Sequence, residues 1–183
     1  MDAAFEYALQ APLCLNTSYP YYGPTTRCQD STCTVALPKG AVKGYRDVPT
    51  DERSLMSAVS QQPVSVAVHG AWGDNNSFQF YRGGVLRSDC AAGRSPYGPR
   101  PDHGVLLVGY GVTVNGSKYW KVKNSYGVGW GMDGYALLER GKTVRGGECG
   151  ILAENASYPV LAATGGWPRG VSSHAGEVET RRR

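Results

Sequence analysis

From Val64 onward this chain carries short apolar stretches, the first with apolar residues at every second position, set apart by glycine-rich turns. Val64, Val66 and Val68 alternate with smaller or polar neighbours, and VLLVGY at 105–110, YWKV at 119–122 and YALLE at 135–139 follow. A period of two over four to eight residues specifies strands with one face buried, joined by tight turns. The second half of the chain is therefore predicted to be a mostly antiparallel, barrel-like sheet. The first half reads differently. Residues 2–9 (DAAFEYAL) suit a short helix with Asp2 as its cap, and 11–49 are loop-rich, punctuated by Pro20, Gly23, Pro24, Pro38, Gly40 and Gly44. Thr50 is placed to cap a second helix over 51–61 that buries Leu55, Met56, Ala58 and Val59 and ends at Pro63. The fold class is α+β, divided into residues 1–45, a body over 46–160, and a tail over 161–183 that loses its periodicity and is expected to be disordered.

Charge narrows the range of partners. The 183 residues carry a net charge of +4, and the last 22 hold four arginines (Arg169, Arg181, Arg182, Arg183) against Glu177 and Glu179. The remaining body is nearly neutral, which gives no reason to expect nucleic acid. No apolar run approaches the roughly 18 residues of a membrane-spanning helix. The five cysteines, Cys14, Cys28, Cys33, Cys90 and Cys149, form no CxxC pairs, so a zinc site is not expected; no other metal and no cofactor is expected either. Sequons begin at Asn16, Asn75, Asn115 and Asn155 and, with the cysteines, point to a secretory route. The opening Met-Asp-Ala-Ala-Phe-Glu has neither the basic nor the apolar region of a signal peptide, and the expectation is a chain shorter than its parent.

Two segments carry chemistry: Asp102-His103-Gly104 ahead of VLLVGYG, and Val122-Lys123-Asn124-Ser125 ahead of YGVGWG. If 105–110 and 118–123 pair through the turn 111–117, Val105 faces Lys123, Tyr110 faces Lys118, and His103 arrives at the same end of the sheet as Asn124. A carboxamide oxygen accepting the imidazole N–H would fix the ring's tautomer and aim its other nitrogen outward. Cysteine nucleophiles need such a base, because the thiolate is the attacking species. His69, after the strand at 64–68, reads as a surface residue, and His174 falls in the tail.

The strings DHGVLLVGYG (102–111), KNSYGVGWG (123–131) and CGILAENASYPV (149–160), supported by Tyr19-Pro20-Tyr21, QPVSVAV (62–68) and FYRGGV (80–85), resemble the papain and cathepsin L-like cysteine peptidases, in order from residue 1 to about 160. The resemblance implies a papain-like fold, with the end of the helical left domain in 1–45 and nearly all of the right domain in 46–160. It implies His103 as general base and acid, Asn124 as its orienting partner, and Tyr126 and Trp130 as active-site support; the family has Trp where this chain has Tyr126. Ala67, Pro101, Asp102 and Glu154 would line the main substrate pocket, with Glu154 either at its floor or turned to solvent. Cys90 and Cys149 would form a disulfide, while Cys28 is left free or pairs with Cys33 or Cys14.

Peptides or proteins are the implied substrates, with protein inhibitors of cysteine peptidases as further partners. The parent protein would be lysosomal, vacuolar or secreted. The family's C-G-S-C-W segment, which carries the nucleophile, matches nothing in this chain, and none of the five cysteines stands in that motif. Two readings follow: an endopeptidase domain without its nucleophile, inactive as it stands, or an inactive homologue that binds peptides or a partner.

Overall fold

A computed structural model describes residues 1–24, 27–28, 32–70, 78–87, 90, 101–142 and 146–162. The expected tail lies almost wholly outside them, as do Asn75 and His174. In chain order the elements are α1 (Asp2–Gln10), β1 (Leu13–Cys14), β2 (Val35–Leu37), β3 (Val42–Val48), α2 (Glu52–Val59), β4 (Val64–Val68), β5 (Val85–Leu86), β6 (His103–Val112), β7 (Lys118–Lys123), β8 (Tyr135–Glu139), a 3₁₀ turn (Glu148–Gly150) and β9 (Ala156–Leu161). Seven strands form one sheet in the order β3-β9-β4-β6-β7-β8-β5. β4 pairs antiparallel with β9 and β6, β6 with β7 and β7 with β8, whereas β5 runs parallel to β8. Among the described residues this sheet has two edges, at β3 and β5, so it does not close into the expected barrel.

The chain divides into two compact units, residues 1–2 with 46–158, and residues 3–45 with 159–183. The larger unit is built on the alternation seen in the sequence. In β4, Val64, Val66 and Val68 are wholly buried, as are Leu107 of β6, Val122 of β7, and Ala136 and Leu138 of β8, while Trp120 is 1% exposed. Burying a side chain of this size contributes roughly 1.5–3 kcal/mol. Helix α2 adds Leu55 and Val59 as its fully buried face, with Met56 and Ala58 half-buried against the same core. Arg140, after β8, ties this helix to the sheet through an ion pair with Glu52 at 2.8 Å, its guanidinium lying over the Trp120 ring.

The smaller unit has a thin core; Ala8 and Val42 are its buried apolar residues among those described. Its β1 and β2 pair as a two-stranded ribbon beside the Cys14–Cys33 disulfide. Phe5 stacks on Tyr45, whose hydroxyl donates to Glu6.

Several local expectations are corrected. Residues 11–49 hold three strands rather than continuous loop. Gly40 and Gly44 mask the seven-residue β3, whose alternation is imperfect. Asp2 lies within the first turn of α1 instead of capping it. Asp51, not Thr50, caps α2: its backbone is extended and its carboxylate accepts the Ser54 N–H at 2.8 Å. The β6–β7 hairpin pairs Val112 with Lys118 and Tyr110 with Trp120, two residues from the expected register, because Gly111 and Val112 remain in the strand. An irregularity between Leu107 and Gly109 then shifts the pairing by one, so that Leu106 meets Lys123.

One buried charge pair deserves a direct test of its contribution. Glu148 is fully buried and pairs through Oε2 with Lys142 at 2.6 Å, while its Oε1 lies 3.7 and 3.6 Å from the sulfurs of the Cys90–Cys149 disulfide. Removing one member of a buried pair leaves the other uncompensated, at a cost of about 3 kcal/mol or more. Lys142→Met is therefore expected to lower the denaturation midpoint strongly, and adding Glu148→Gln to recover most of the loss; an unchanged midpoint in the single variant would show that the pair contributes nothing. The cap gives a second test. Hydrogen bonds from the Ser54 side chain and backbone hold the Asp51 carboxyl below its ordinary 3.8. A lowered acid pKa stabilises the fold above the unfolded value and ceases to do so as pH falls through the folded one. Asp51→Ala should accordingly lower Tm at pH 7, with a difference from the parent that shrinks below pH 3.8.

Candidate active site

His103 is the first residue of β6, and its backbone is held in register with Val68 of β4. Asn124 directly follows β7, with its N–H donated to Gly134 O at 2.9 Å. The hairpin brings the two side chains together: His103 Nε2 lies 2.8 Å from Asn124 Oδ1, and Asn124 is 7% exposed. The Ser125 backbone N–H donates to the same Oδ1 at 2.7 Å. That second donor identifies the atom as the carbonyl oxygen, since a carboxamide nitrogen accepts nothing. Nε2 must therefore carry the proton in the neutral ring, which leaves the lone pair on Nδ1. Among the described residues Asn124 Nδ2 is buried with no hydrogen-bond partner, so the bonded end of the side chain there is the end that meets His103.

Aromatic rings enclose this pair. Tyr126 lies over the imidazole with centroids 5.2 Å apart and planes 31° apart, and Phe78 approaches it at 61° and 6.0 Å. Trp130 backs both, at 5.8 Å from Tyr126 and 5.1 Å from Phe78, and its indole N–H donates to Gln79 O at 2.9 Å. Tyr81 supports Trp130 from behind and donates its hydroxyl to Gly84 O at 2.6 Å; burial pushes its phenol above the usual 10.0. Tyr126 itself is 43% exposed, so the rings shield the His103–Asn124 bond from the side and leave one approach open.

The backbone beside His103 is just as constrained. Gly70 N donates to Asp102 Oδ1 at 2.7 Å, and Asp102 N donates to Val68 O at 3.1 Å, joining the exit of β4 to the entrance of β6. A Cβ at Gly70 would lie 2.4 Å from His103 Cβ, a separation that side chains do not tolerate. Gly70 is thus required by close approach rather than by turn geometry. Gly70, Phe78, Tyr81 and Ser125 are the parts of the site that sequence reasoning missed. Tyr81 had a trace in the FYRGGV string and Ser125 in KNSYGVGWG, but nothing in the sequence marks Gly70 or Phe78.

The expected pocket residues are dispersed in exposure: Ala67 and Pro101 are half-buried, whereas Asp102 and Glu154 are exposed. Gly150 faces Pro101 and the edge of His69, at 3.8 and 3.2 Å from where its Cβ would stand. His69 is thereby drawn in from the expected surface position: it is half-buried, its Nε2 is fully covered without a partner among the described residues, and its N–H is donated to Cys149 O at 2.8 Å. Cys90, Glu148 and Cys149 bring metal-binding atom types together, with both sulfurs joined in the disulfide. Cys14 pairs with Cys33, and Cys28 is free and exposed.

Residues 1–160 match the profile of the papain family cysteine proteases. The chain belongs to that family. Vignain of Ricinus communis is 42% identical over 178 residues, which cover 94% of this chain and 45% of that protein. The thiol protease SEN102 of Hemerocallis is also 42% identical, over 87% of this chain and 41% of its own length. The chain thus spans less than half of the curated relatives it matches. Among solved structures, the bromelain protease of Ananas comosus in complex with the E64 inhibitor superposes with a TM-score of 0.74 at 34% identity, over 88% of this chain and 69% of that one. The ragweed pollen allergen Amb a 11, a cysteine protease solved in its proform, gives 0.73 at 35% identity. The papain-like fold read from the sequence is therefore shown.

Within this family member, Gly70→Ala should displace the imidazole and cost about 1–3 kcal/mol through overpacking. Denaturant melts and the His103 ring resonances report the two effects separately. A variant with parental stability and unshifted resonances would mean that the backbone accommodates the methyl group without moving the base.

Proposed function

We propose that this chain supplies the base-bearing half of a thiol endopeptidase, with His103 as general base and acid and Asn124 as its orienting residue. The observation that carries the reading is the His103 Nε2–Asn124 Oδ1 bond at 2.8 Å with Ser125 N–H on the same oxygen. In this reading Nδ1 takes the proton of a cysteine thiol. The thiolate adds to the scissile carbonyl, and the imidazolium returns that proton to the leaving amine as the C–N bond breaks. Nδ1 then takes a proton from the water that hydrolyses the thioester and gives it back to the released thiol. Asn124 touches no substrate; it keeps Nε2 protonated so that Nδ1 remains the acceptor. Tyr126 and Trp130 exclude water from that bond, while Ala67, Pro101, Asp102 and Glu154 contribute to the substrate pocket. Residues 46–160 are the base-bearing domain, and 1–45 belong to the domain that carries the nucleophile in relatives.

The nucleophile itself is not assigned to any cysteine present. Four of the five are paired in disulfides, and the exposed Cys28 does not stand in the family's C-G-S-C-W motif. The residues of this chain therefore hold and aim a base but do not attack a peptide bond. The two disulfides support an oxidising location for the parent protein, lysosomal or vacuolar or secreted.

Two measurements test this reading. In the ¹⁵N spectrum of the purified chain, His103 is expected in the Nε2–H tautomer, and Asn124→Ala should release the ring to a mixture of both tautomers. With a fluorogenic peptide, the chain alone should give no turnover and no covalent adduct with an epoxide inhibitor of the E64 type. Turnover abolished by Cys28→Ser would overturn the assignment, and an unchanged tautomer in Asn124→Ala would remove the role given to Asn124.

A further inference from the structure

The loop 113–117 between β6 and β7 carries the sequon Asn115-Gly116-Ser117. Gly116 N donates to Thr113 O at 2.9 Å, so Val114 and Asn115 are the two central residues of a β-turn. Gly116 follows at φ +80°, and Thr113 N donates to Ser117 O at 2.9 Å to close the five-residue hairpin loop. Asn115 therefore stands at the tip of the hairpin, exposed, with no side-chain hydrogen bond among the described residues. Its neighbour Val114 is 103% exposed. We propose that Asn115 is an N-glycosylation acceptor, taking an oligosaccharide from a lipid-pyrophosphate donor.

In that transfer the carboxamide nitrogen of Asn115 forms a bond to C1 of the first sugar. The bond from C1 to the pyrophosphate oxygen breaks, the lipid pyrophosphate leaves with its electron pair, and one amide proton is lost. Among the described residues no hydrogen bond of the Asn115 side chain has to break to make room for the product. Three further observations favour this site. Tyr110 and Val112 lie on one side of β6 and are 40% and 56% exposed, forming with Val114 an apolar strip that runs to the hairpin tip. Innermost sugars on Asn115 would cover that strip, which the other described residues leave open. The ten residues of β6 also separate the tip from His103 by roughly 30 Å, so a glycan leaves the base accessible. Finally, both disulfides favour an oxidising compartment, the setting in which lipid-linked donors are used.

The other described sequons are more deeply engaged by the fold. In Asn155-Ala156-Ser157 the serine is fully buried within β9. In Asn16-Thr17-Ser18 the Ser18 hydroxyl accepts the Thr34 N–H at 2.9 Å and donates to Leu15 O at 3.1 Å. Among the described residues, Ser117 Oγ accepts from the exposed Arg87 side chain alone.

The test is to translate the chain behind a cleavable secretory leader in the presence of microsomes, keep the protease-protected fraction, and map sugar by mass on the peptide that contains Asn115. The expected result is an N-acetylhexosamine-bearing peptide, lost in Asn115→Gln and in Ser117→Ala and retained in Ser117→Thr, with all variants disulfide-bonded and protected alike. The Thr variant separates a lost acceptor from a lost fold. An unmodified Asn115 in protected, disulfide-bonded chain overturns the proposal, as does sugar on that peptide that survives Asn115→Gln.

Discussion

The pairing of β4 with β6 and of β6 with β7 is the constraint on which the rest of the structure depends. Val64, Val66 and Val68 on β4 and Leu107 on β6 are wholly buried, and Trp120 and Val122 on β7 are at most 1% exposed. Because side chains alternate across a strand, a slip of one residue would turn every one of these groups to the opposite face. The loss would far exceed any single interaction in the site. That penalty locks the register, and the register sets His103 opposite Val68 and delivers Asn124 just past the end of β7. The geometry of the His103–Asn124 pair is thus a by-product of a core that cannot shift.

Around that frame the site is built by exclusion as much as by bonding. A single 2.8 Å hydrogen bond orients the imidazole, and the ring is kept in place by Tyr126 on one side and Phe78 on another. Gly70 presses the backbone against His103 Cβ, leaving the residue no room to withdraw. Tyr126 stands where the family usually has Trp. A phenol still covers the ring but offers less apolar area and a hydroxyl that needs a partner or water. Its 43% exposure agrees with a cover that is partial.

The cysteines organise the chain at two scales. Cys90–Cys149 anchors the 3₁₀ turn, where Cys149 adopts a left-handed φ of +51°, and the Cys149 carbonyl in turn receives the His69 N–H. The segment bearing the expected pocket residues is therefore tied to the strand that positions His103. Cys14–Cys33 acts where burial is thin, since the unit of residues 3–45 and 159–183 has few buried apolar residues among those described and its β1–β2 ribbon is short. A small core is the setting in which a covalent link contributes most.

The sequence by itself determined the α+β class, the strands at 64–68 and 135–139, the buried face of α2, the family, and the meeting of His103 with Asn124. Each of these is written in local periodicity or in a short string whose residue types the chemistry requires. Tertiary structure alone decided the rest. The hairpin register moved because Gly111 and Val112 stay paired and an irregularity near Val108 absorbs the difference, a competition between turn and strand that no local pattern records. The cap passed from Thr50 to Asp51 because only Asp51 faces the Ser54 N–H. Gly70 and Phe78 became parts of the site through contacts with a residue 25 or more positions away, and Cys14 found Cys33 among open alternatives because the ribbon brought them together. Period and composition act over a few residues, whereas close approach is a property of the folded chain.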